Sequence, residues 1–144
     1  MEDLAIDFEP FLSAEVRTFL DNGIGNHNIA ATGLPAYFPA NFVLRSQRGE
    51  VLGGLLGLIW GGWLHIDILW VAEAVRGHGY GARLLAAAEA YAVERGCTSA
   101  FLDTFSFQAR PFYARHGYAV FATLTDFPPG HDRFFLRKQL TGPA

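Results

Sequence analysis

Cysteine is almost missing from this chain. Cys97 is the only one, which excludes an intrachain disulfide and a cysteine-based zinc cluster. Beside a strand start it reads as a small buried residue rather than a catalytic thiol. A dominant charge is missing too. With 11 Lys and Arg against 14 Asp and Glu the formal net charge is −3 at pH 7, and the two signs are interspersed. No basic stripe suits nucleic acid, so none is expected as a partner. Nor is there a long unbroken apolar run. The longest, Val51 to Trp70, is interrupted by Gly53, Gly54, Gly57, Gly61, Gly62, His65 and Asp67. That is the pattern of two strands and a turn, and no membrane partner is expected. The opening Met1-Glu2-Asp3-Leu4 lacks the basic flank and apolar stretch of a signal peptide, so a soluble cytoplasmic protein is the expectation.

What is present is enough apolar material for a core. Of 144 residues, 51% are hydrophobic, which suits one domain spanning residues 1–144. No repeat, low-complexity tract or linker divides it. Leu4–Phe8 has the alternation of a first strand. Ser13 can cap a helix over Ala14–Asp21, with Glu15 in its first turn. Asn22 to Pro39, rich in Gly, Asn and Pro, reads as a long loop with at most a short helix near His27–Ala31.

Asn41–Gln47 and Val51–Trp60 form a hairpin around Arg48-Gly49-Glu50, and Gly61-Gly62 turns the chain into Trp63–Val71. Alternation along that strand puts His65, Asp67 and Leu69 on one face and Leu64, Ile66 and Ile68 on the other. Leu84, Leu85, Ala88 and Ala92 mark a helix over Gly79–Arg95. A strand over Ser99–Thr104 follows. Pro111 lies near the start of a helix over Gln108–His116, where its missing N–H does least harm. Tyr118–Leu124 and Arg133–Leu140 close the chain as a hairpin. The fold class is α+β, with a single mixed sheet of six to seven strands flanked by helices.

Residues 76–81 read Arg-Gly-His-Gly-Tyr-Gly between a strand and a helix. Glycines at every second position leave backbone N–H groups bare, and before a helix N-terminus they form a site for phosphate or pyrophosphate. A dinucleotide fold would place such a loop after its first strand, and here it follows about the fourth. A Walker loop would need Gly-Lys-Ser/Thr, which is absent. On loop physics alone, a turn with no ligand stays open.

The run Val71-Ala72-Glu73-Ala74-Val75-Arg76-Gly77-His78-Gly79-Tyr80-Gly81-Ala82 resembles the acyl-CoA signature of the GNAT superfamily of N-acetyltransferases. That signature is a strand ending in Val, then Arg/Gln-Gly-x-Gly-x-Gly/Ala, then a helix. Phe112-Tyr113-Ala114-Arg115-His116-Gly117-Tyr118 resembles the family's second motif, Phe-Tyr-x-x-x-Gly-Phe/Tyr, in the expected order. The resemblance covers about residues 50–140. Two positions depart from it: Glu73 stands where the family often has Pro, and Ser106 where it often has Asn.

The resemblance implies splayed central strands that take up acetyl-CoA as cosubstrate. It implies that the strand end Leu69, Trp70 and Val71 pairs with the pantetheine amides. The pyrophosphate then rests on Gly77, His78, Gly79, Tyr80, Gly81 and Ala82, with Arg76 adding charge and Ser106 in contact or capping. The implied reaction is direct attack of an amine on the acetyl thioester. Tyr113 is the implied general acid. Asp67, or His65 on the same strand, is the implied base; an ionised Asp on a central strand is costly unless it has a task or a partner. Asn26, His27 and Asn28 are the candidates for contact with the acceptor, and Thr104 and Gln108 are placed to reach cofactor or acceptor. No metal is expected, since His131-Asp132 matches no metal spacing.

The expected function is acetyl transfer from acetyl-CoA to a primary amine of a small molecule. A non-catalytic acyl-CoA sensor and a protein or peptide N-acetyltransferase are the alternatives. The exposed aromatics are compatible with a homodimer.

Overall fold

Ser13 starts the first helix through its side chain. In the computed structural model, which describes residues 1–140, its hydroxyl accepts from the Val16 N–H at 3.2 Å, and Glu15 lies in the first turn. Both features serve a helix N-terminus. This helix, α1, runs over Ala14–Thr32. It is longer than the expected Ala14–Asp21 and takes in most of the expected loop. Gly23, Gly25 and the asparagines around them are weak helix formers but not breakers. The helix ends only at Gly33, which adopts a left-handed φ of 70° and bonds the Ile29 carbonyl at 2.8 Å, with Pro35 just beyond. Leu4–Phe8 is not a strand. Among the described residues no strand pairs with it, and alternation without a partner edge forms no sheet. Met1–Ala36 make one compact unit, and a second begins at Tyr37.

The second unit is built on a seven-stranded mixed sheet with two helices. Its strands are β1 (Phe38–Pro39), β2 (Phe42–Arg45), β3 (Val51–Trp60), β4 (Trp63–Val71), β5 (Ser99–Phe105), β6 (Ala119–Thr125) and β7 (Asp132–Gln139). The order is β1-β3-β4-β5-β7-β6, with β2 also on β3. Strand β1 lies inside the segment expected to be loop. Among the described residues only β4 and β5 run parallel, and every other pair is antiparallel. Parallel neighbours need a crossover, and α2 (Tyr80–Glu94) supplies it. Leu84, Leu85, Ala88 and Ala92 of α2 share one buried core with Leu55, Leu64, Leu102 and Leu136 of the sheet. Each such leucine contributes about 2 kcal/mol by leaving water. Helix α3 (Arg110–Arg115) precedes the closing hairpin. Among the described residues no helix is long and apolar enough to cross a membrane.

Strand β4 does not alternate as expected. Gly57 pairs with Ile66 and Leu56 with Ile68, so Asp67 is an extra residue between two rungs. This bulge reverses the facing of everything after it. Leu69 and Val71 pack on the core with Leu64 and Ile66, whereas Ile68 is 49% exposed. The expected grouping of Leu69 with His65 is therefore wrong. Gly57 accommodates the bulge, because a Cβ there would lie 2.9 Å from the His65 carbonyl oxygen.

Candidate active site

Strands β4 and β5 pair over a short stretch only, from Trp63↔Ser99 to Ile66↔Leu102. Both continue past that point and hold their outer neighbours: Val71 still pairs with Gly53, and Phe105 with Arg133. The strands have parted, and a cleft of about 910 Å³ opens between them, continuing to the start of α2 and to α3. Asp67 to Val71 have no partner on β5. Unpaired strand groups seek partners, and an extended molecule with amides of its own can act as the missing strand.

The loop after β4 is shaped by its arginine and glycines. Arg76 reaches back, donating from Nε to the Val71 carbonyl at 2.8 Å, with its guanidinium over the Trp70 ring. Gly77 and Gly79 have φ of 80° and 82°, values that other residues adopt only under strain. Helix α2 then begins with no side-chain cap and no acidic residue in its first turn. The contrast with α1, which has both, is informative. The first-turn N–H groups of α2 lack intrahelical acceptors and carry the positive end of the dipole. Tyr80, Gly81 and Ala82, which bear them, line the cleft. A bound diphosphate fits this end.

Across the cleft, the turn before α3 is tied by Gln108. Its Oε1 accepts from the Phe105 N–H at 2.9 Å and from the Thr104 hydroxyl at 3.2 Å. Tyr113, one turn into α3, is buried and lines the cleft. Among the described residues its hydroxyl has no hydrogen-bond partner. Burial, and then the charge of Asp103, push its pKa up to about 12. At neutral pH it is a proton-bearing donor.

Two carboxylates enter where the strands part. Asp67 directly follows Ile66, and Asp103 directly follows Leu102, the last paired residues. Asp67 has no ion pair or hydrogen bond among the described residues. The Asp103 Oδ2 accepts from the Nε of Arg133 at 2.7 Å, with Nη2 in ion-pair contact at the same distance.

The cleft collects many of the expected residues: Tyr113 and Asp67, the strand end Leu69–Val71, Arg76 and Gly77, and Gly79–Ala82. Others lie elsewhere. His65 stacks on Phe101, ring centroids 4.5 Å apart, and does not line it. His78 is outside the lining although its loop neighbours are within it. Ser106 is tied to the closing hairpin, where its Oγ accepts from the Asp132 N–H at 3.1 Å; Gln108 lines the cleft instead. Asn26, His27 and Asn28 belong to α1, and the lining residues all come from the second unit. Sequence reasoning missed Asp103. The cost of an ionised Asp on a central strand, which drew attention to Asp67, applied equally to its neighbour on β5.

The family model described as Acetyltransferase (GNAT) family matches residues 5–118. Blasticidin-S acetyltransferase of Streptomyces morookaense is 47% identical over 95 residues, 65% of this chain and 70% of that protein. The acetyltransferase Atu2258 of Agrobacterium fabrum is 33% identical over 126 residues, 88% of this chain and 92% of its own. A crystal structure of an acetyltransferase from Bacillus cereus superposes with a TM-score of 0.78 at 33% identity, covering 92% of this chain and 97% of the other.

Proposed function

This chain belongs to the acetyltransferase (GNAT) family, and we propose that it transfers an acetyl group from acetyl-CoA to a primary amine of a small molecule. The observation that carries the proposal is the fork between β4 and β5, with Asp67 on one strand and Tyr113 beside the other. The similarity to blasticidin-S acetyltransferase supports a small-molecule acceptor. We read residues 1–144 as one N-acetyltransferase domain, since the family match over residues 5–118 runs across the boundary between the two compact units.

Bound acetyl-CoA supplies an acetyl group activated as a thioester. The free edge of Leu69–Val71 receives its amide-bearing arm, and Gly77 with the first turn of α2 receives its diphosphate. Asp67 takes a proton from the acceptor's ammonium group. The freed nitrogen bonds to the acetyl carbonyl carbon as the carbon–sulfur bond breaks. Tyr113 gives its phenolic proton to the departing sulfur and regains one from solvent, and the second proton of the attacking nitrogen leaves to water as the amide forms. The acetyl oxygen gains negative charge on the way, and backbone N–H groups at the free edge of β4 are the donors that meet it. Holding amine and thioester together removes the entropic cost of their encounter from the barrier.

The test is thiol release from acetyl-CoA, with mass analysis of the acceptor, across blasticidin S, aminoglycosides, polyamines, amino acids and peptides. Gain of one acetyl group on a small amine is the expected result. Acetyl-CoA binding without release of thiol on any amine would instead identify a sensing module.

A further inference from the structure

We propose that Asp103 is a specificity-determining residue: it receives a second positively charged nitrogen of the acceptor, so that the enzyme favours small dications over monoamines. This rests on the amine acetyltransferase reading above. The first support is position. Asp103 and Asp67 occupy the next positions after the last rung shared by β4 and β5, where the strands are still about 5 Å apart, and both line the cleft that opens beyond it. A small acceptor whose reacting amine lies at Asp67 therefore has Asp103 within reach.

The second support is the one-sided way in which Asp103 is held. Arginine and a carboxylate often pair fork to fork, using both oxygens. Here the Arg133 hydrogen bond and the shortest ion-pair contact both fall on Oδ2, and Oδ1 accepts no hydrogen bond among the described residues. Arg133 is confined to that side by the rings of Phe105, Phe127 and Phe135, its guanidinium carbon 5.3, 5.2 and 5.2 Å from their centroids. It is thus held as a fixed counterion, and Oδ1 stays available to a donor. The third support is the division of charge along the cleft. Arg76 and Arg115 lie on the loop and on α3, towards the diphosphate end, while Asp67 and Asp103 stand at the fork. An acceptor with a carboxylate beside its amine meets repulsion at the fork, and one with two ammonium groups finds a carboxylate for each.

The experiment measures kcat/KM by thiol release for ethylenediamine through hexamethylenediamine and for the monoamines of the same chain lengths. Wild-type enzyme is expected to prefer the best diamine over its monoamine by roughly 10- to 100-fold, the range of a charge-assisted hydrogen bond. Asp103→Asn should remove that preference: any effect transmitted through Tyr113 falls on both acceptors alike, the additional loss falls on the diamine alone, and the calorimetric acetyl-CoA affinity is unchanged. Asp103→Glu should restore part of it. Equal loss on both acceptors in Asp103→Asn would show a structural role and overturn the proposal. Wild-type turnover without a diamine preference would overturn it while leaving the amine reading intact. No turnover of any amine despite acetyl-CoA binding would overturn both.

Discussion

Asp103 and Tyr113 line one cleft, and the carboxylate acts on the phenol: after burial, its negative charge is the second cause that pushes the Tyr113 pKa up to about 12. The hydroxyl therefore holds its proton throughout the neutral range. Tyr113→Phe removes the proton donor while keeping the ring that packs against Phe112 and Tyr118. Turnover should fall roughly 100-fold, the lower end for loss of a general acid. Acetyl-CoA affinity by calorimetry should be unchanged. Unaltered turnover would remove Tyr113 from the chemistry.

The same shift carries a stability prediction. An unfolded tyrosine titrates near 10 and the folded Tyr113 near 12, so the folded state keeps a proton that the unfolded state loses between those values. The stabilisation is complete below pH 10 and is lost as pH rises through about 12. Its size is about 3 kcal/mol. Tyr118, buried beside Glu89, is raised as well and adds to the same slope. Urea unfolding of the wild type should show stability falling from pH 10 upward, with a clearly shallower fall in Tyr113→Phe.

Two glycines of the cofactor loop should respond differently. Gly79 sits at φ 82° immediately before α2, in open space. Gly79→Ala thus meets no clash but is strained by about 1–2 kcal/mol, and relief of that strain reorients the N–H groups at the helix start. Acetyl-CoA affinity should fall about tenfold. Gly81 is helical, and an added methyl would touch the Phe112 ring at 3.5 Å, an ordinary contact. Gly81→Ala should bind acetyl-CoA close to normally. Equal losses in the two variants would contradict this division of roles.

The sheet, α2, α3 and the cofactor loop were legible in the sequence because each depends on local signals: alternation, helical spacing, and glycine before a helix. What failed was non-local or weakly signalled. Leu4–Phe8 alternates like a strand, yet strand formation depends on a partner edge that no local pattern reveals. Asn22–Thr32 reads as loop by composition, yet nothing in it stops a helix before Gly33. The bulge at Asp67 depends on β3 register, so the facing of Ile68 and Leu69 could not be read from β4 alone. At the site, the glycine loop identified the cofactor end, but the partnership of Asp103 with Arg133 spans 30 positions and required the fold.

Asp67→Asn tests the base without touching a structural bond, since Asp67 makes none among the described residues. Turnover should fall roughly 100-fold or more, with acetyl-CoA affinity and melting temperature near those of the wild type. Normal turnover would exclude Asp67 and leave a water molecule to take the proton.

Gly53 links the sheet to the cleft from behind. It pairs with Val71, and a Cβ at Gly53 would lie 2.7 Å from the Trp70 carbonyl oxygen and 3.0 Å from the Val71 Cα. These are backbone atoms of the strand end that is proposed to receive the cofactor, so they cannot swing aside as a side chain would. Gly53→Ala must push the end of β4 towards the fork or separate it from β3. Overpacking of this kind costs about 1–3 kcal/mol. Melting of the variant should be lower than wild type both with and without acetyl-CoA. The gain in melting temperature on adding acetyl-CoA should also shrink, because the displaced edge is the one that binds. A lowered melting temperature with a full acetyl-CoA gain would mean that the Trp70–Val71 backbone takes no part in binding.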